Sequence, residues 1–173
     1  VGGYSWWVAG IHEWTGVGSY VKARVEQLAG LGYVAFAADI YGKGVRPVKP
    51  EDCGREMSRY KDDRALLRAR ATAALDRLTA DEHVDKTKLA VIGYCFGGLT
   101  ALEVARSGAD IRAAVSFHGA LDAPRRDEGK NIKAVYAHND DMALGAIQAI
   151  EEAGIKPGTD LIVVSIDGVK GAF

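Results

Sequence analysis

The chain has 173 residues, of which 48% are hydrophobic and 26% charged, with a formal net charge of −1. That length suits one domain with a sizeable core, and the balance of apolar and charged residues excludes a disordered chain and disfavours a basic nucleic-acid surface. No apolar run approaches the roughly 18–20 residues of a membrane span. The first residues carry no basic leader, and the two cysteines, Cys53 and Cys95, make neither a disulfide framework nor a zinc spacing. The expectation is a cytoplasmic protein with no metal, no cofactor, and no nucleic-acid or membrane partner.

Short apolar runs alternate with amphipathic stretches, the pattern of parallel strands joined by crossover helices. Strands are predicted at Trp6–His12, Tyr33–Ala37, Lys88–Gly93, Ala113–His118, Ile132–Ala137 and Leu161–Ile166. Together they predict an α/β fold: one three-layer α/β/α sandwich over 1–173, its six strands in the flavodoxin-like order 2-1-3-4-5-6. Any ligand crevice is expected at the carboxyl edge between the first and third strands. A first helix starts near Ser19, read as its cap, and stops at Gly30 and Gly32. The segment Tyr41–Arg59, with Gly42, Gly44, Pro47 and Pro50, reads as a long loop. One helix is predicted over Tyr60–Thr79, with Leu67, Ala71, Leu75 and Leu78 on its buried face and Arg64, Arg68, Arg70 and Arg77 mostly solvated. Further helices are predicted at Gly97–Ser107 and Met142–Ala153, the latter capped by Asp140 or Asp141. The charged stretch Asp122–Lys130 has no apolar period and reads as a breakpoint.

The sharpest chemical signal is Gly93-Tyr94-Cys95-Phe96-Gly97-Gly98 between an apolar strand and a helix. It fits the pattern of a nucleophile on a tight strand-to-helix turn, where flanking glycines let two backbones approach and the helix N-terminus favours a thiolate. A buried structural cysteine in a glycine-rich turn would use the same residues. The run departs from the G-x-G-x-x-G spacing of dinucleotide sites, and no Walker-type loop is present.

Ile-His-Glu-Trp at 11–14, Gly-Leu-Gly-Tyr-Val-Ala-Phe-Ala-Ala-Asp-Ile-Tyr-Gly at 30–42, Val-Ile-Gly-Tyr-Cys-Phe-Gly-Gly at 91–98 and Val-Ser-Phe-His-Gly at 115–119 resemble the dienelactone hydrolase family over about residues 1–124. The resemblance implies an α/β-hydrolase fold and a Cys-His-Asp triad that opens esters and lactones through a thioester. Cys95 matches the nucleophile, Glu13 the carboxylate that faces the resting thiol, and the amides of Phe96 and Trp14 the oxyanion-hole donors. Residues 131–173, notably Lys133–Ile147 and Ile162–Gly168, instead resemble the C-terminal lobe of ribose-type periplasmic sugar-binding proteins. There Asn139 and Asp167 match sugar contacts, and both also suit cap or turn roles at strand ends.

The two resemblances, divided at 1–124 and 125–173, imply a chimeric α/β scaffold with no intact activity. A thiol ester or lactone hydrolase is the alternative, and a weak sugar-binding module the next; the partner is at most a small ester, lactone or sugar. Asp140 or Asp141 can imitate the triad acid. The histidine position of a family-like G-x-x-H-x-F falls on Gly171, and His12, His83, His118 and His138 read as packed or solvated, with His138 the nearest to an exception.

Overall fold

The computed structural model describes residues 6–121, 134–136, 140–152, 154–160 and 162–164. The chain divides into two compact units, 1–121 and 122–173.

In the first unit, strands β1 (Trp7–Ile11), β2 (Val34–Ala38), β3 (Leu89–Tyr94) and β4 (Ala113–Phe117) form a parallel four-stranded sheet in the order β2-β1-β3-β4. Helix α1 (Ser19–Gly30) covers one face. Gly10 lies beneath it, and a Cβ there would come within 2.8 Å of Val25 Cγ1, so the absent side chain lets this helix sit close to β1. On the other face Ala9, Ile11 and Val91 pack with Leu67, Ala71 and Leu75 of α3 (Arg64–Thr79) and with Val104 of α4 (Phe96–Arg106). Near-continuous apolar strands follow from this double covering. In the second unit β5 (Ala134–Tyr136) and β6 (Ile162–Val164) pair in parallel, with α5 (Asp140–Glu152) between them in sequence. The expected strand order is thus found over β1 to β4, and among the described residues β5 and β6 pair with each other.

The predicted loop Tyr41–Arg59 contains the start of a helix, α2 (Pro50–Lys61). Its signals are local: Pro50 opens the first turn, Glu51 and Asp52 complement the N-terminal dipole, and Arg59 and Lys61 the C-terminal one. Pro47 and two glycines upstream obscure that pattern. The single helix expected at Tyr60–Thr79 is broken, because Asp63 leaves helical geometry and its carboxylate accepts from the Leu66 amide as the N-cap of α3. Ser19 is the first residue of α1, with Gly18 in the cap position, so it does not cap as expected. The stop at Gly32 is found, with φ at +92°. Asp140 and Asp141 fall inside the first turn of α5 rather than ahead of it.

Arg70 and Arg77 of α3 are exposed as expected, but Arg64 and Arg68 turn inward. Glu103 on α4 is fully buried, and Arg64, Arg68 and Arg106 reach it at 3.4, 2.9 and 2.8 Å. Arg70 donates to the Tyr41 carbonyl at 3.4 Å. Helical spacing alone put Arg64 and Arg68 off the apolar stripe, but a buried carboxylate on the neighbouring helix draws them inward, since an unpaired charge there would be costly. Replacing Glu103 by alanine would leave two or three guanidinium groups facing an apolar interface. The expected cost is about 3–5 kcal/mol, read as a fall in the urea unfolding midpoint without loss of cooperativity.

Candidate functional site

The site is built at the carboxyl edge of β1, β3 and β4. Cys95 lies between β3 and α4 with φ 55° and ψ −116°, a conformation that costs on the order of 1–3 kcal/mol for a residue with a side chain. Its amide donates to the Phe117 carbonyl at 2.9 Å, which extends the β3–β4 ladder one step past the strands. Close packing holds the turn in this shape. A Cβ on Gly93 would overlap the Gly97 carbonyl, and one on Gly97 would overlap the carbonyl of Ile11 on β1. On the side of β4, a Cβ on Gly98 would sit 2.6 Å from Ser116 Oγ, and one on Gly119 2.5 Å from the Leu99 amide. The helix N-terminus is therefore pressed onto three strands at once.

Phe96 opens α4 with its ring buried against His12 and Tyr41, at ring-centre distances of 5.9 and 5.3 Å. Among the described residues neither its amide nor that of Trp14 has a hydrogen-bond acceptor. Two free amides, one after β1 and one at the head of α4, are the donors an oxyanion would need. The loop carrying Trp14 is tied to the loop after β2. Tyr41 Oη donates to the Trp14 carbonyl at 3.1 Å, and the Arg46 guanidinium donates to the Val17 carbonyl at 2.9 Å and the Asp39 carboxylate at 2.8 Å. Burial, reinforced by Glu56, Cys53, Tyr60 and Cys95 nearby, raises the Tyr41 phenol above its ordinary range and keeps it a neutral donor.

His12 is fully buried and is not positioned as a base. Its Nε2 accepts the Ile40 amide at 3.2 Å, so the proton sits on Nδ1, which donates to the Glu13 carbonyl at 2.6 Å. This confirms the packed role expected for it. His118 is exposed, one of the two roles expected for it. Its φ is 43°, its side chain is 40% exposed, and its Nε2 lies 3.8 Å from Glu13 Oε1. His83, at the far end of α3, is exposed and pairs with Asp81 at 2.9 Å. Glu13 also borders a small open depression with Thr15, Gly16, Ser19 and Tyr20. The first unit thus gathers Glu13, Trp14, Cys95, Phe96 and His118 at one edge. Asp140 and Asp141 belong to the second unit, while Asn139, Asp167, His138 and Gly171 lie outside the described residues. Among the described residues no cluster of His, Cys, Asp and Glu could hold a metal ion, and no helix is long and apolar enough to cross a membrane.

The Dienelactone hydrolase family matches residues 8–173. The chain belongs to the dienelactone hydrolase family. The family match continues past residue 124, where the hydrolase resemblance was expected to end, and runs to the last residue. The chain is similar to Protein usf of Aquifex pyrophilus, with 31% identity over 94% of this chain and 74% of that protein. It is also similar in structure to a dienelactone hydrolase-like promiscuous phosphotriesterase from metagenomic libraries. There the TM-score is 0.79 and the identity 32%, over 98% of this chain and 72% of the other. A shorter stretch of 47 residues is 70% identical to the galactofuranose-binding protein YtfQ of Escherichia coli, covering 27% of this chain and 15% of that protein. The dienelactone hydrolase likeness therefore spans the whole length, and the sugar-binding likeness a fraction of it.

Gly119 and His118 were not read as site residues, and the signal was thin: a glycine directly after the strand-ending Phe-His pair. Gly119→Ala is expected to cost about 1–3 kcal/mol, because its Cβ meets backbone of α4 that cannot move without moving the Cys95 turn. A lowered thermal midpoint together with slower reaction of Cys95 with iodoacetamide would report both effects. A second prediction concerns pH. Burial, the largest influence, depresses His12 below its ordinary 6.5 despite the opposing pull of the Glu13 carbonyl and Asp39. The stabilising share is whole above pH 6.5, where both states are neutral. As the pH falls below 6.5 the unfolded chain gains a proton the folded chain refuses, and stability drops until the folded imidazole itself titrates. Urea midpoints at about pH 7.5 and about pH 5.5 should therefore differ more for the parent protein than for His12→Asn.

Proposed function

We propose that this protein is a thiol hydrolase of carboxylic esters or lactones, with Cys95 as nucleophile and the amides of Phe96 and Trp14 as donors to the oxyanion. The observation that carries the reading is the strained Cys95 at the head of α4, locked by Gly93, Gly97, Gly98 and Gly119, in a chain of this family. Strain of this kind persists only where the surroundings impose it, and it aims the sulfur out of the sheet edge.

In the reaction the Cys95 thiol loses its proton and the sulfur bonds to the acyl carbon, while the carbonyl electron pair moves to oxygen between the two amides. Collapse breaks the carbon–oxygen bond of the leaving group, which takes up a proton and departs as the alcohol or as the opened end of a lactone. Water then adds to the thioester, the sulfur leaves, and the acid is released with Cys95 restored. The nucleophile must stay a free thiol, so the reading sets the protein in a reducing cytoplasmic compartment; both cysteines are unpaired. In the chain order of nucleophile, acid and base, Asp140 or Asp141 stands in the acid's place and Gly171 in the base's. Glycine cannot accept a proton, so the proton of Cys95 must go to another group.

A second reading is favoured by the 47-residue likeness to the galactofuranose-binding protein. In it the chain joins a hydrolase part to part of a sugar-binding lobe, no intact activity survives, and Asn139 and Asp167 hold at most a sugar weakly. One set of measurements separates the two. The hydrolase reading expects a burst of p-nitrophenol from p-nitrophenyl acetate, a Cys95 thioester detectable by mass, and loss of both in Cys95→Ala. Absence of burst and adduct, or heat on titration with sugars at millimolar concentration, would favour the second.

A further inference from the structure

His12, Thr100 and Glu103 are fully buried. Thr100 donates its hydroxyl to the Phe96 carbonyl of its own helix, and Glu103 is held by arginines. His12 instead binds a main-chain unit that the proposed reaction would use. Its Nε2 accepts the Ile40 amide at 3.2 Å, which leaves the proton on Nδ1, and Nδ1–H donates to the Glu13 carbonyl at 2.6 Å. The Asp39 carboxylate, 3.9 Å from Nε2, is beyond hydrogen-bond reach. The Gly16 amide adds a second, longer bond to the Glu13 carbonyl at 3.3 Å. That carbonyl and the Trp14 amide belong to one peptide unit. A trans peptide is planar, with C=O and N–H pointing in opposite directions, so tying the oxygen to a buried ring directs the Trp14 N–H away from that ring. Donation to the oxygen also draws electron density along the amide and makes the N–H at its other end a stronger donor.

The same ring meets the residue that carries the other amide. Phe96 stacks on His12 with ring centres 5.9 Å apart and 29° between the planes. A Cβ on Gly97 would come within 2.7 Å of the His12 carbonyl, so the head of α4 also lies against the His12 backbone. Tyr41 meets the imidazole edge-on at 4.6 Å. Burial holds the imidazole below its ordinary range, so the acceptor for Ile40 persists at neutral pH.

We propose that His12 is a positioning residue for the oxyanion: its bond to the Glu13 carbonyl and its stacking on Phe96 set the Trp14 and Phe96 amides relative to each other, and the bond strengthens the Trp14 amide as a donor. The inference rests on the hydrolase reading for the chemistry it serves but not for the bond itself. His12 touches no reacting atom. As negative charge builds on the substrate's carbonyl oxygen, the Glu13–Trp14 peptide meets it as a dipole already oriented and anchored at its far end.

Two substitutions separate the ring's two bonds. Asparagine places a donor near Nδ1 and glutamine an acceptor near Nε2, so His12→Asn keeps the bond to Glu13 and His12→Gln the bond from Ile40. In the full-length protein, His12→Gln should lower acylation of Cys95 by p-nitrophenyl acetate about tenfold to a hundredfold, while alkylation by iodoacetamide, which builds no oxyanion, stays within about twofold of the parent. His12→Asn should recover most of the acylation. The backbone nitrogen resonance of Trp14, which reports bonding to the carbonyl of its own peptide, should move upfield in His12→Gln and stay in place in His12→Asn. A purely structural role would slow acylation and alkylation together and would not distinguish the two variants; either result in folded proteins overturns the proposal. If His12→Gln does not fold, His12→Asn decides: near-parental acylation supports the proposal, and a loss of about tenfold or more at parental alkylation overturns it. If the parent gives no ester burst, the hydrolase reading fails and the Trp14 resonance still decides the bond: moved in His12→Gln, it upholds the polarised amide; unmoved, it overturns it. A burst with acylation unchanged in His12→Gln leaves the hydrolase reading standing and removes the role of His12.

Discussion

The structure depends on how closely one helix can approach a sheet. The N-terminus of α4 touches β1 through Gly97, β3 through Gly93, and the end of β4 through Gly98 and Gly119. A methyl group at any of these contacts would collide with backbone or with the Ser116 hydroxyl, so the glycines determine the depth at which the helix seats. That depth in turn dictates the left-handed turn at Cys95: chain leaving β3 has no other way to enter a helix lying so near its own strand. The free amide of Phe96 and the elevated sulfur are both consequences of the same approach.

A turn under strain persists only if its helix is anchored elsewhere. Buried Glu103, seven residues along α4 from Phe96, is gripped by Arg64 and Arg68 of α3 and by Arg106 of its own helix. Such a cluster is weak evidence for net stability, because desolvation offsets much of the attraction, but its geometry is exacting. It specifies the rotation and height of α4 against α3, and α3 is itself held to the sheet by Leu67, Ala71 and Leu75. On the opposite side of the turn, neutral His12 and Tyr41 join the loops after β1 and β2 by bonds from Ile40 and to Trp14. The loop that carries Trp14 and the helix that begins at Phe96 are thus both held by polar contacts.

Most of the first unit was legible in the sequence, since its strands are unbroken apolar runs and the G-Y-C-F-G-G segment has one structural meaning between a strand and a helix. The failures have a common origin. Helix α2 was hidden because Pro50 and the glycines upstream signal a loop and an N-terminus equally well. The Asp62–Asp63 break was missed because the apolar period passes through it, and only the carboxylate bonded to Leu66 reveals the stop. Arg64 and Arg68 of α3 were assigned to solvent because periodicity along one helix says nothing about a charge on its neighbour. His118, read as packed or solvated, is exposed, and its left-handed φ was not legible because it depends on tertiary contacts, here the passage of Gly119 under α4.

The family's order of nucleophile, acid and base places the last two groups in loops after later strands, and in this chain those loops fall in the second unit. Glu13, Trp14, Cys95, Phe96 and His118 lie apart from those loops in sequence, in the first unit. All five lie within residues 1–121, on the ends of three neighbouring strands and one helix, where register rather than loop length decides who meets whom. The same edge also carries the two free amides, so under the hydrolase reading attack and charge stabilisation fall to elements whose relative positions the four-stranded sheet determines.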